Sequence, residues 1–117
     1  MIRVILESPY SARDKALLEI NITYARECVK DSLSRGEAPL ASHLLYTQPG
    51  ILNDDKIEER KKGIEAGLEW LSVAEKHIFY IDFGMTFGMN YALELSKKNK
   101  IPIEFRKLYG NIKRQPK

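Results

Sequence analysis

The sequence predicts a small three-layer α/β domain built on a parallel sheet, and three observations predict it. Short apolar runs rich in β-branched and aromatic residues alternate with stretches whose apolar residues recur every three or four positions. One of those runs, residues 77–81, is apolar almost without interruption, as a strand covered on both faces must be. At 117 residues the chain is long enough for one core and too short for two. Strands alternating with helices imply a parallel sheet of four strands, or five, with right-handed crossovers and helices on both faces.

The first strand spans residues 2–6. Pro9, which has no N–H to give to a sheet ladder, stops it, and residues 8–12 form the loop beyond its C-terminal end. From Asp14 the pattern turns helical: Leu18, Ile22, Ala25, Val29 and Leu33 form a stripe that Leu17, Ile20, Tyr24 and Cys28 widen, and Gly36 stops it. Residues 38–41 read as a second strand ending in Ser42 and His43. Residues 44–53, with Tyr46, Pro49 and Gly50, carry no period and form a long connection of the kind that often serves as a binding loop.

A second helix is expected from Asp54 and Asp55, which suit an N-cap and first turn, with Ile57, Ile64, Leu68, Leu71 and Ala74 as its core stripe. Its charged residues 58–62 are a solvated end. Gly63 and Gly67, one turn apart, lower helix propensity and mark close packing against a neighbour, while Trp70 reads as core or interface. After the strand at 77–81, Asp82, Gly84 and Thr86 lead into a third helix that Thr86 caps and that runs to Lys98. Residues 101–105 form a fourth strand, and Pro102 near its start suits a sheet edge.

Composition narrows the function. No apolar run approaches the roughly 18 residues of a membrane span, and no basic segment precedes a signal-type core, so a cytoplasmic protein without a membrane partner is expected. Cys28 is alone and reads as a core thiol. His43 and His77 do not give the spacing of a metal site, and no cofactor is implied. The net charge is +3, yet five of the 19 basic residues (Arg106, Lys107, Lys113, Arg114 and Lys117) fall from Glu104 onward with a single acid. The body, residues 1–106, is therefore near neutral, and the basicity belongs to a solvated tail, residues 107–117. Without a basic stripe interleaved with aromatics, nucleic acid is not the expected partner.

Ligands of open α/β sheets bind beyond the C-terminal strand ends, where strand order reverses. The residues there are Ser8, Pro9 and Tyr10 after the first strand, His43 after the second, and Asp82 with Gly84 after the third. Asp82 can accept from ribose hydroxyls. The amides around Gly84 to Gly88 and the Thr86 hydroxyl can hold a phosphate or hydroxyl, and Tyr10 or Tyr46 can stack on a base. A nucleoside or nucleotide fits this set, although Asp82 equally suits a loop hydrogen-bonder and His43 a structural histidine. The chain has no phosphate-loop lysine motif, no G-x-G-x-x-G and no serine elbow, which disfavours triphosphatase, dinucleotide-oxidoreductase and serine-hydrolase readings.

Ser8-Pro9-Tyr10, Ala41-Ser42-His43-Leu44-Leu45, Asn53-Asp54-Asp55 with Glu59-Arg60 and Gly63, Gly67-Leu68-Glu69-Trp70-Leu71, Gly88-Met89 and Ile101-Pro102-Ile103 occur in that order. Together they resemble the small nucleoside 2-deoxyribosyltransferase-like proteins, specifically a short branch common in bacteria and phages, over most of residues 2–106. The resemblance implies a flavodoxin-like sheet, a site at the strand C-termini that includes Gly88 and Met89, and chemistry at the N-glycosidic bond. It also implies that Asp82 is a sugar-binding aspartate. The glutamate that attacks C1′ in active relatives does not carry over, because Ala92 stands in its place. Glu94, two residues on, points roughly 200° around the helix. Two readings follow: a nucleoside or nucleotide N-glycosidase or deoxyribosyltransferase in which Asp82, Glu7 or Asp55 supplies the carboxylate, or a protein that binds a nucleotide without cleaving it. Leu44, Leu45, Tyr46 and Trp70 offer more apolar surface than so small a domain hides, which predicts a homodimer or higher homo-oligomer.

Overall fold

The computed structural model of the chain describes residues 1–109. Four parallel strands make one sheet, β1 (Ile2–Glu7), β2 (Glu37–Leu40), β3 (Lys76–Tyr80) and β4 (Ile103–Arg106), in the order β2-β1-β3-β4. They alternate with helices α1 (Lys15–Ser34), α2 (Ser42–Leu45), α3 (Ile57–Glu69) and α4 (Phe87–Lys98), and a 3₁₀ turn (Trp70–Val73) follows α3. The result is the small flavodoxin-like α/β sandwich that the alternation predicts, with four strands among the described residues. The path from β1 to β2 moves one way along the sheet, and the path from β2 to β3 crosses back over β1. Strand order therefore reverses between β1 and β3.

Alternation along the strands divides the core into two layers. On one face Val4, Leu6, Ile78 and Tyr80 pack against Tyr24 and Cys28 of α1. On the other, Phe79 packs with Met89 and Ala92 of α4, and with the half-buried Leu68 of α3. Leu6, Ile78 and Phe79 are fully buried, and burying side chains of this kind stabilises by about 1.5–3 kcal/mol each. Asp14 caps α1 by accepting from the Leu17 N–H at 2.8 Å, and Gly36, at φ +81°, turns the chain past its end.

Several local expectations are corrected. The buried stripe of α1 runs through Asn21, Tyr24, Ala25, Cys28 and Ser32, whereas Ile20 and Leu33 are exposed. Hydrogen bonds explain the polar members, since Asn21 donates to the Tyr10 carbonyl at 2.9 Å and Ser32 to Glu37 at 2.7 Å. Ser42 and His43 open the one-turn helix α2 instead of ending a strand. The helix expected from Asp54 begins at Ile57, because the Asn53 side chain takes the Asp55 N–H at 2.9 Å and holds a turn first. Ile57 is 82% exposed, Ile64 is also exposed, and Trp70 is half-exposed.

The C-terminal end differs most. Arg106, counted by charge with the basic residues of the C-terminal end, is a buried β4 residue clamped by Glu37 and Glu104. Residues beyond 106 remain docked as far as Tyr109: Leu108 packs on the α1 core, and the Tyr109 hydroxyl donates to Glu27 at 3.0 Å. Lys113, Arg114 and Lys117 lie outside the described residues.

Candidate functional site

A cavity of about 280 Å³ opens at the C-terminal end of β1, beside the reversal of strand order. Glu7 and Ser8 line it from the sheet, His43 and Tyr46 from α2 and the residue after it, and Gly63, Ile64 and Leu68 from α3. The first turns of α4 close it with Thr86, Gly88 and Met89. Thr86 is the cap the sequence predicts, its hydroxyl accepting from the Met89 N–H at 3.2 Å.

Two hydrogen-bonded pairs organise the polar wall. The Glu7 carboxylate lies 2.9 Å, through Oε2, from Nε2 of His77, and the other ring nitrogen of His77 is bonded to Ser96 of α4. His77 is fully buried, and within the described residues the Glu7 carboxylate is bonded through Oε2. The second pair is Ser8 Oγ with His43 Nε2, at 2.7 Å. Nδ1 of His43 is buried and has no partner among the described residues. An unpaired buried acceptor is tolerated better than an unpaired buried N–H, so the proton belongs on Nε2, where His43 donates to Ser8. The Ser8 hydroxyl hydrogen is then free for another acceptor. Burial pushes the His43 imidazole below its ordinary value of 6.5, against an opposing pull from Glu7.

The glycines of α3 bring this wall together. A Cβ at Gly67 would lie 2.6 Å from Ser42 Cβ, so only glycine lets α2 dock there. At Gly63 a Cβ would meet the Leu52 side chain at 3.2 Å. The close approach that the two glycines predict is thus between α3 and the α2 region. Tyr46 accepts from Trp70 Nε1 at 3.3 Å, and Tyr10 stands edge-on to His43 with ring centres 6.1 Å apart.

Glu7, Ser8, Tyr10, His43, Tyr46, Thr86, Gly88 and Met89 are therefore gathered around one cavity, whereas Pro9, Asp55, Asp82 and Gly84 are not in its lining. Pro9 is buried, and Gly84 takes φ +85° in the turn before α4. Asp55 borders a shallower polar groove with Asn53 and Asp54. Asp82, expected to face a sugar, is occupied elsewhere. It accepts from the Tyr24 hydroxyl and from the Leu108 and Tyr109 N–H groups at 2.9 and 3.1 Å. Burial alone would raise its pKa, but these bonds outweigh it and hold the carboxyl below its usual range. Ala92 does line the cavity, and Glu94 is exposed and pairs with Lys97.

His77 and Ser96 lie in a strand and a helix where no local pattern marks them as a pair. One signal was available, since a histidine inside an otherwise apolar buried strand must find hydrogen-bond partners. Among the described residues no group of three or more His, Cys, Asp or Glu could hold a metal ion, and no helix is long and apolar enough to cross a membrane. No curated protein matches the sequence. Residues 2–106, which include every strand and both hydrogen-bonded pairs of the cavity wall, match the family described as Domain of unknown function (DUF7768), and the chain belongs to that family.

Proposed function

We propose that the cavity holds a nucleoside or nucleotide and that Glu7 is the carboxylate acting at its N-glycosidic bond. The observation that carries this reading is the placement of Glu7 at the end of β1, with one oxygen held by His77, in a cavity that Ala92 also lines. Tyr10 and Tyr46 offer rings to a base, and the Ser8 hydroxyl, fixed by His43, has its proton to give to a sugar or phosphate oxygen. When the C1′–N bond breaks, the base leaves with the bonding pair and takes up a proton. The base takes that proton from water, and Glu7 either forms an ester to C1′ that water or a second base then opens, restoring the carboxylate, or removes a proton from the water whose oxygen adds to C1′.

A second reading, binding without cleavage, is favoured by Ala92 itself, since the resemblance implies a glutamate there. Purified protein is incubated with nucleosides and nucleoside monophosphates, and free base is followed by chromatography. Base release that Glu7→Gln abolishes supports the enzyme, and release that persists in Glu7→Gln overturns the role of Glu7. Ligand-induced thermal stabilisation of the wild type without any base release selects the binding protein.

The same face bears on assembly. Phe87 is 89% exposed, and it stands with half-exposed Tyr91 and exposed Ile64 at the cavity mouth. Apolar residues clustered there favour a homodimer that covers them.

A further inference from the structure

We propose that His77 is the positioning residue for Glu7, holding its carboxylate through the chain Ser96, His77, Glu7; this rests on the reading that Glu7 is the reacting carboxylate. Three elements meet in the chain: α4 supplies Ser96, β3 supplies His77 and β1 supplies Glu7. His77 and Ser96 are both fully buried, and the Phe79 ring lies against the imidazole with centres 4.4 Å apart. The ring cannot turn without breaking hydrogen bonds at both nitrogens where no water can replace them.

The consequence falls on Glu7. It is the last residue of β1, its side chain is 15% exposed, and Oε2 is bonded to His77. With Nε2–H donating to Oε2, the carboxylate is held in one rotamer at the cavity wall. Without that donor, its torsions are set only by packing at the strand end. His43 of α2, whose imidazole feels the Glu7 charge, is left in place by His77 replacements.

The test uses the full chain in three variants, His77→Leu, His77→Gln and Ser96→Ala. Nitrogen-15 NMR of the wild-type imidazole is expected to show His77 Nε2 protonated. Carbon-13 three-bond couplings of the Glu7 side chain are expected to report one rotamer in the wild type, rotamer averaging in His77→Leu, and a single rotamer largely restored in His77→Gln. For base release, a misplaced reacting group costs up to about a hundredfold. This loss should appear in kcat with KM unchanged for His77→Leu, be smaller for Ser96→Ala, and be relieved by His77→Gln. A wild-type Nε2 without a proton, or Glu7 rotamer populations unchanged in both His77→Leu and Ser96→Ala, overturns the proposal. The NMR readouts need no turnover, so a wild type that releases no base counts against the catalytic reading of Glu7 while the side-chain couplings still decide its positioning. If His77→Leu does not fold, the wild-type spectrum and Ser96→Ala decide it.

Discussion

Arg106, the last residue of β4, donates both terminal nitrogens of its guanidinium to the carboxylate of Glu37, the first residue of β2, at 2.9 and 2.6 Å. These strands are the two edges of the sheet and share no backbone ladder. The pair is buried, and it is extended by Ser32 donating to Glu37, by Arg106 donating to the Tyr80 hydroxyl, and by Tyr80 donating to Asp31. It therefore joins both edges to α1. Removing one partner leaves a buried charge uncompensated, which costs about 3–5 kcal/mol. Arg106→Met is expected to lower stability by that order in urea unfolding, whereas Glu37→Gln combined with Arg106→Met should recover part of the loss. A single variant as stable as wild type would refute the buried pair.

Gly67 and Gly63 should respond oppositely to alanine. At Gly67 a methyl group meets Ser42 Cβ at 2.6 Å, and overpacking of this kind costs about 1–3 kcal/mol. Because Ser42 opens the helix that carries His43, ligand affinity should fall with stability. At Gly63 the nearest atom is the flexible end of Leu52, so the better helix propensity of alanine, about 1 kcal/mol, should prevail. Thermal melts of the two variants check the contrast.

Stability should fall on acidification in two stages. Burial holds the His43 pKa below 6.5 in the folded state, so the unfolded chain binds its proton first. That contribution is present above 6.5 and is lost as pH falls through the folded value. Glu37 and Glu104 are lowered from 4.5, Glu37 chiefly by hydrogen bonds from Arg106 and Glu104 to about 2 by Arg106 and Lys76. Their contribution is present above 4.5 and is lost toward pH 2, with the partly exposed Glu104 giving the smaller share. Urea midpoints measured from neutral to acid pH should therefore decline below about 6.5 and more steeply below about 4.5. A flat profile across the first stage would exclude the His43 contribution.

Asp82 is expected to behave as a structural clamp. Asp82→Ala leaves the Leu108 and Tyr109 N–H groups and the Tyr24 hydroxyl without their acceptor; the buried Tyr24 hydroxyl left unpaired costs about 1–3 kcal/mol, and the more exposed amides less. Amide hydrogen exchange at Leu108 and Tyr109 should accelerate, with base release or ligand binding lost less than in Glu7→Gln. Unchanged protection at both amides would contradict this role.

Exposure of Phe87 and Tyr91 at the cavity mouth leads to a prediction about assembly. Light scattering at micromolar concentration should give the mass of a dimer, and Phe87→Glu, which adds a charge to the shared face, should shift it to monomer. A wild-type monomer under those conditions would rule out the covered face.

How far the sequence determined this protein follows from the range of the interactions involved. The alternation of runs and stripes, the Asp14 and Thr86 caps and the stop at Gly36 are local, because each depends on residues within about a turn of the helix or strand they bound. They determined the α/β class, the parallel sheet and the presence of residues such as Ser8, His43 and Thr86 near the strand C-termini. The tertiary structure decided which of those residues share a cavity. Glu7 meets His77 and Ser8 meets His43 only after strand register and the α2 to α3 approach are set. Asp82 lies in the right segment for a ligand, yet its oxygens go to Tyr24, Leu108 and Tyr109. Arg106 reads as tail charge until folding brings Glu37 to it from a position 69 residues away. Hydrogen-bond partners that distant leave no periodicity in the chain, because folding alone places them within bonding distance.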